Sequence, residues 1–270
     1  MKERNAILEV DRLHVEIQTY QGSVQAVRDI SFRIDEGKVL GLVGESGCGK
    51  SMTCLAIFGL LSQSAVLGKS SRIRLQGREL STMSEEELRQ LRGLDMSFIL
   101  QNPMNAFNPV LTIGKQFQET IQAHTDFTRK QALTLAIEAL AQMNLSEPAK
   151  LLKQYPFELS GGMLQRVMIA LSLSLKPALL IADEPTTALD NVNRRNVIEA
   201  FQAVKAVGTT ALLLVSHDLN VIGELADMVA VMKQGEIVEM APTNEIFSNP
   251  QHEYTKLLLD ARLTASSRKE

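Results

Sequence analysis

The segment Gly44-Glu45-Ser46-Gly47-Cys48-Gly49-Lys50-Ser51 has the spacing Gly, four free positions, then Gly-Lys-Ser. Before it, Lys38-Val39-Leu40-Gly41-Leu42-Val43 is a short apolar run that reads as a buried strand. After it, Met52-Thr53-Cys54-Leu55-Ala56-Ile57-Phe58 continues as a helix. Strand, loop and helix in this order make a phosphate cradle. The glycines let the backbone turn tightly, and successive N–H groups then form an anion nest. The new helix adds its orphan N–H groups and the positive end of its dipole. Lys50 is placed to reach β and γ phosphates, and the Ser51 hydroxyl to bind Mg²⁺. The bland alternative is a chance glycine-rich turn before a helix, and the rest of the chain weighs against it.

Composition sets the outer bounds. A chain of 270 residues can bury a sizeable core. Apolar content of 45% and charged content of 22% are ordinary for a globular protein. A net charge of −3 offers no basic field for a nucleic acid, and the absence of Trp argues against base stacking. The two cysteines, Cys48 and Cys54, are too few for a disulfide framework and fit a reduced, cytosolic compartment. The start, Met1-Lys2-Glu3-Arg4-Asn5, is no apolar signal core, and no apolar run is long enough for a membrane helix. Any link to a membrane is therefore expected to run through a partner.

In order, Ile7–Val10, Leu13–Ile17, Val24–Val27 and Ile30–Ile34 alternate as strands of an antiparallel sheet, with a turn at Tyr20–Ser23. Tyr20 could stack on an adenine ring, and plain surface packing explains it as well. Leu60–Ser71 reads as a loop, Arg72–Leu75 with Gly77 as a hairpin, and Ser84-Glu85-Glu86-Glu87 as a capped acidic helix start. Met96–Leu100 is a buried strand ending at Gln101, and the Asn- and Pro-rich stretch 102–109 is a loop. From Ile113 to Gln154 the pattern is helical, with Leu133, Ile137, Leu140 and Met143 at helix spacing and His124 read as a solvated surface residue.

Three further points carry chemistry. Leu159-Ser160-Gly161-Gly162-Met163-Leu164-Gln165-Arg166 displays a helix N-terminus, although an ordinary capped helix reads the same way. Ala178–Ala182 is a fully apolar strand that ends in Asp183 and Glu184. Carboxylates at such a strand end lie where open α/β sheets bind ligands. Asp183 suits Mg²⁺ and Glu184 suits orienting or deprotonating water. Thr209–Val215 repeats the logic and ends near His217, which could bond a γ-phosphate or the attacking water. Met228–Met232, Gly235 and Ile237–Glu239 close the core with a last strand pair. Asn244–Leu259 reads as short helices and Ser266–Glu270 as a frayed tail.

The whole set resembles the ATP-binding subunit of ABC transporters, over nearly the full chain. The phosphate loop, Gln101, Leu159-Ser160-Gly161-Gly162, Asp183-Glu184, Ala188-Leu189-Asp190 and His217 stand in that family's order. The resemblance implies an α/β fold: a P-loop NTPase (RecA-like) core with an antiparallel β subdomain and an inserted α-helical subdomain. It implies an ABC nucleotide-binding domain over 1–240, the helical subdomain at about 102–175, and a short C-terminal helical extension over 241–270. The implied cofactors are ATP and Mg²⁺, with Ser51, Gln101 and Asp183 as metal ligands. Glu184 is the implied general base, with His217 and Gln101 beside it. Gly44 to Ser51 and Tyr20 bind ATP, and Asp190 marks a further loop. The implied partners are a second ABC subunit, whose Ser160, Gly161, Gly162 and Gln165 cap the nucleotide in trans, membrane permeases, and a substrate-binding protein reached through the complex. The implied place is the cytoplasmic face of the inner membrane.

A narrower resemblance is to the peptide/nickel importer group. It rests on Gln101-Asn102-Pro103 with Ala106-Phe107-Asn108-Pro109, on Ile181-Ala182-Asp183-Glu184-Pro185-Thr186-Thr187-Ala188-Leu189-Asp190, and on Ile246-Phe247-Ser248-Asn249-Pro250 with His252, Tyr254-Thr255 and Leu257-Leu258. Leu164, where peptide importers usually carry Arg, and the lack of a Cys-bearing extension are more similar to nickel or metal-metallophore importers. Dipeptide or oligopeptide import is the alternative. Two departures stand out: Cys48 replaces a more usual Ser, and the adenine-stacking aromatic of close relatives falls nearer Ile17 than Tyr20. A soluble ABC protein of translation or DNA repair is disfavoured, because those carry two cassettes or long coiled-coil insertions.

Overall fold

The computed structural model describes residues 6–20, 22–187 and 189–266. The start 1–5, Gln21 of the first turn, Ala188 and the tail 267–270 lie outside the described residues. In chain order, β1 (Ala6–Thr19), β2 (Gly22–Asp35) and β3 (Val39–Val43) lead to α1 (Lys50–Phe58). Then come β4 (Ala65–Leu67), β5 (Arg72–Leu75), β6 (Arg78–Glu79), α2 (Glu85–Leu91) and β7 (Met96–Ile99). The helices α3 (Ile113–His124), α4 (Arg129–Gln142), α5 (Pro148–Leu151) and α6 (Gly161–Leu173) follow. After these come β8 (Leu179–Asp183), α7 (Asn191–Val207), β9 (Ala211–Val215), α8 (Leu219–Leu225), β10 (Met228–Lys233), β11 (Glu236–Pro242), α9 (Thr243–Ser248) and α10 (Glu253–Ser266).

The chain forms two compact units, Met1–Leu88 with Ala211–Glu270, and Arg89–Thr210. In the first, an antiparallel sheet runs β2-β1-β5-β6, with β4 also on β1. Sequence pattern suggests four short strands in the first 35 residues, but the structure has two long ones. The breaks in the pattern are bulges: Arg12 (φ 47) and Asp29 (φ 50) take left-handed backbone where the register shifts or the pairing is interrupted. The bulges let Leu8, Val10, Leu13 and Val15 all point into the core. The second sheet of this unit runs β11-β10-β3-β9; β10, β3 and β9 are parallel and β11 is antiparallel. Every residue of β3 and β9 is buried, which is why both read as unbroken apolar runs. The stretch read as a loop over 60–71 contains β4. The acidic helix start is capped as expected: Ser84 N–H donates to Glu87 Oε2 at 2.7 Å and the Glu87 N–H returns to Ser84 Oγ at 3.3 Å.

The second unit holds the parallel pair β7 and β8 and the helices α3 to α7. Its core face on α4 differs from the expected one. Ala132, Ala136, Ala139 and Leu140 are buried, while Ile137 is exposed and Leu133 is half-buried. Alanines on that face let neighbouring helices approach closely, so the larger side chains turn outward. His124 is likewise not a plain surface residue. It is half-buried against Gly93, and burial, followed by the charge of Arg89, pushes its pKa down. No helix among the described residues is long and apolar enough to cross a membrane.

Candidate active site

The phosphate loop lies between the fully buried β3 and α1. Gly49 stands at the N-cap with φ 111, and α1 has no side-chain cap and no acid in its first turn. A side chain at Gly49 would collide with the Ala26 carbonyl, and one at Gly44 with the Met232 carbonyl. At Gly47, by contrast, a Cβ would meet nothing within 4 Å. The loop is thus pressed from beneath by backbone and open above. Lys50 is only 7% exposed, and its ammonium donates to the carbonyls of Gly44 at 2.9 Å and Glu45 at 2.8 Å. Its remaining contact is the sulfur of Cys48 at 3.7 Å. Among the described residues no carboxylate pairs with it, so a buried positive charge is held by dipoles alone. A glycine-rich loop at an uncapped helix start, an ammonium with no carboxylate beside it and an open mouth fit an anion of phosphate type. Cys48, the unusual residue of the loop, is itself buried.

In the second unit β8 is buried at all five positions and delivers Asp183, 8% exposed, at its end. Glu184 follows with φ 54, left-handed backbone that a glutamate rarely adopts. The Thr187 hydroxyl donates to Glu184 Oε2 at 2.9 Å and the Thr187 N–H to the Glu184 carbonyl at 3.2 Å. A strained backbone and a tethered carboxylate together mark an orientation the fold has to maintain. Thr187 adjoins the two carboxylates in sequence, but no role is assigned to it there.

The Ser-Gly-Gly start is built differently. Ser160 caps α6 by accepting the Met163 N–H at 3.3 Å. Ser160 and Gly161 are exposed and Gly162 is buried. A Cβ at Gly162 would run into the Asn193 side chain. Asn193 donates to Asp190 Oδ2 at 2.6 Å, and Asp190 caps α7 by accepting the Asn193 N–H at 2.8 Å. These bonds, the amide one foremost, hold the Asp190 carboxyl below its ordinary range. Arg166 donates to Asn193 Oδ1 at 3.4 Å and to the Met143 and Asn144 carbonyls at 3.3 and 3.2 Å. The fold therefore brings Ser160–Gly162 and Asp190 together through Asn193, a residue without a sequence signal. Gln165 stands apart from its expected companions: it is 2% exposed, inside this unit, and its Nε2 makes no hydrogen bond among the described residues. Leu164 is fully buried.

Of the other candidates, Gln101 is exposed after β7 and His217 is exposed after β9. Tyr20 is wholly exposed at the β1–β2 turn. The first unit thus carries Gly44–Ser51, Tyr20 and His217; the second carries Gln101, Ser160–Gly162, Gln165, Asp183, Glu184 and Asp190.

The sequence profile of the family described as ABC transporter matches residues 27–187, from the second strand through the Glu184 turn. The chain belongs to the ABC transporter family. Among its ABC relatives, the dipeptide transport ATP-binding protein DppD of Bacillus subtilis is 43% identical over 94% of this chain and 76% of its own length. The metal-staphylopine import system ATP-binding protein CntD of Staphylococcus aureus is 43% identical over 87% of this chain and 86% of its own. The glutathione import ATP-binding protein GsiA of Escherichia coli is 42% identical over 94% of this chain, which spans only 42% of that protein. Two solved dimeric structures share the ABC fold with a TM-score of 0.78 at 22% identity, covering 87% of this chain and 98% of theirs. One is a bacterial ABC transporter cassette and the other a post-hydrolysis state of an ATP-binding cassette with ADP and phosphate. The expected ABC cassette fold, with its mixed and antiparallel sheets and its helices, is thereby borne out.

Proposed function

We propose that this chain is the ATP-hydrolysing, energy-coupling subunit of a membrane ABC importer. The observation that carries the reading is Lys50: a buried ammonium without a carboxylate, under an open glycine loop, is stabilised by a bound polyphosphate. The loop Gly44 to Ser51 cradles the phosphates, and Tyr20 is the exposed aromatic offered to the adenine. The Ser51 hydroxyl, the Asp183 carboxylate and the Gln101 amide are all oxygen donors of the kind a hard cation takes. Mg²⁺ is usually held by one or two carboxylates plus substrate phosphates. This agrees with the absence, among the described residues, of any cluster of three or more His, Cys, Asp or Glu side chains that could hold a metal. Mg²⁺ bound with the nucleotide would neutralise phosphate charge. Glu184, held by Thr187, takes the proton of the attacking water, and His217 and Gln101 orient that water and the γ-phosphate. Ser160 and Gly161, exposed at the start of α6, cap the nucleotide of a second ABC subunit. This chain sits at the cytoplasmic face of the membrane, and permeases link it to an extracytoplasmic binding protein on the other side. The domain reading is one nucleotide-binding domain over 1–240 with a C-terminal extension.

For the cargo we propose nickel or a metal-metallophore chelate, which the likeness to the metal-staphylopine protein supports. The equally similar dipeptide transport protein supports the second reading, a di- or oligopeptide. Leu164 lends the choice little weight now that it is a core residue. Deleting the gene and measuring nickel, metal-chelate and dipeptide uptake at limiting supply separates them. Loss of metal uptake alone is expected; loss of peptide uptake alone overturns the metal reading, and retention of all three overturns the importer reading.

A further inference from the structure

The start of α10 is fastened to the strand that leads into it. Glu239 on β11 accepts the Gln251 N–H at 2.8 Å and the His252 N–H at 3.0 Å. Burial pushes this carboxyl up, but the amide bonds outweigh burial and hold it below the ordinary range. His252 Nδ1 accepts the Tyr254 N–H at 3.0 Å. Tyr254 itself is 5% exposed, and its hydroxyl accepts the N–H of Glu45 at 3.1 Å, across 209 positions of sequence. The Lys233 ammonium sits 4.9 Å from the Tyr254 ring centroid, at the end of β10. The turn after β10 grips the loop a second time, since the Gly235 N–H donates to the Cys48 carbonyl at 2.9 Å. The loop backbone is therefore held at two points, Glu45 by the C-terminal helix and Cys48 by the β10–β11 turn.

We propose that Tyr254 is a positioning residue for the phosphate loop: its hydroxyl clasps the Glu45 amide and keeps the glycine-rich backbone open before nucleotide arrives. The reason is entropic. A loop with three glycines has many alternative conformations, and a ligand that must first order it binds less tightly than one that meets it ready-made. Any residue but proline at position 45 supplies the N–H, so the clasp depends on the helix rather than on the loop sequence. The C-terminal extension thereby becomes part of the nucleotide site and not an appendage to it. The inference rests on the reading of Gly44–Ser51 as a nucleotide cradle.

The test compares the full chain with Tyr254→Phe, which removes one oxygen and leaves the ring under Lys233. Affinity is read with a fluorescent ATP analogue, turnover as KM and kcat for ATP, and loop order as amide hydrogen exchange at 44–49 without nucleotide. A net hydrogen bond of ordinary strength corresponds to a change of about five-fold. The variant is expected to bind ATP about that much more weakly, with a matching rise in KM and kcat retained. Faster exchange should be confined to 44–49. Unchanged affinity and exchange overturn the proposal, as does faster exchange throughout the first unit with a lower melting temperature, which marks a merely structural contact. A parent chain that binds no ATP overturns the cradle reading instead, while exchange at 44–49 still decides whether the clasp exists.

Discussion

Two helices in this protein start beside glycine, and the proposed function gives them opposite halves of one task. α1 starts after Gly47-Cys48-Gly49 with no side-chain cap, over a buried Lys50 whose ammonium donates to two carbonyls and the Cys48 sulfur. α6 starts at Gly161-Gly162 with Ser160 as cap; Gly162 makes room for Asn193, while Gly161 stands in open space. The lesson is that glycine before a helix does not by itself make an anion site. What matters is whether the site carries its own positive charge. α1 carries Lys50 at its start; at the α6 start the nearby cation, Arg166, is taken up by the Gly162, Met143 and Asn144 carbonyls and by Asn193.

The sharpest way to separate the halves is to remove the chemistry while keeping both. Glu184→Gln should leave ATP binding intact and lower kcat by about 10²–10⁴-fold, the range for a general base. Phosphate release at the parent rate would sink the assignment. Lys50→Ala should weaken ATP binding about 10- to 100-fold, the loss of a charged hydrogen-bond donor. The same measurement on Ser160→Ala should show no loss of binding by the isolated chain, only of ATP-driven dimerisation. If both variants lose binding equally, the contrast between the helix starts fails.

Ser160→Ala should also cost about 1 kcal/mol of stability through the lost cap, seen as a lower urea midpoint. The smallest effect concerns Asp190, which ties α7 to the α6 start through Asn193. Its folded pKa lies below the ordinary 3.8, so its contribution is fully present above that value and is lost as pH falls through the lower folded one. The difference in melting temperature between parent and Asp190→Asn should be constant above about pH 5 and shrink toward pH 3. A difference that grows on acidification would reverse the sign of that interaction.

Much of this contrast was legible before the fold. The apolar runs of β3, β8 and β9 predicted buried parallel strands, and the loop spacing located the cradle. The readings that moved did so for reasons of packing. Leu164 and Gln165 follow the Ser-Gly-Gly segment on a helix, and nothing local states which face turns inward. Ile137 kept the helix period of α4 yet lost the core face to smaller alanines. The breaks in β1 and β2 were visible at the right positions, but a break and a bulge look alike in a string of residues.

What the sequence determined alone is what short-range physics decides: the strand-loop-helix around Lys50, the caps at Ser84 and Ser160, and the carboxylates that end an apolar strand. Each depends on neighbours within a few positions. Only the tertiary structure decided that Asn193 fills the space Gly162 leaves and that Tyr254 reaches Glu45. These contacts join residues by folded geometry. For Tyr254 the partner is a backbone N–H that every non-proline residue carries, so no side chain at position 45 could have announced it.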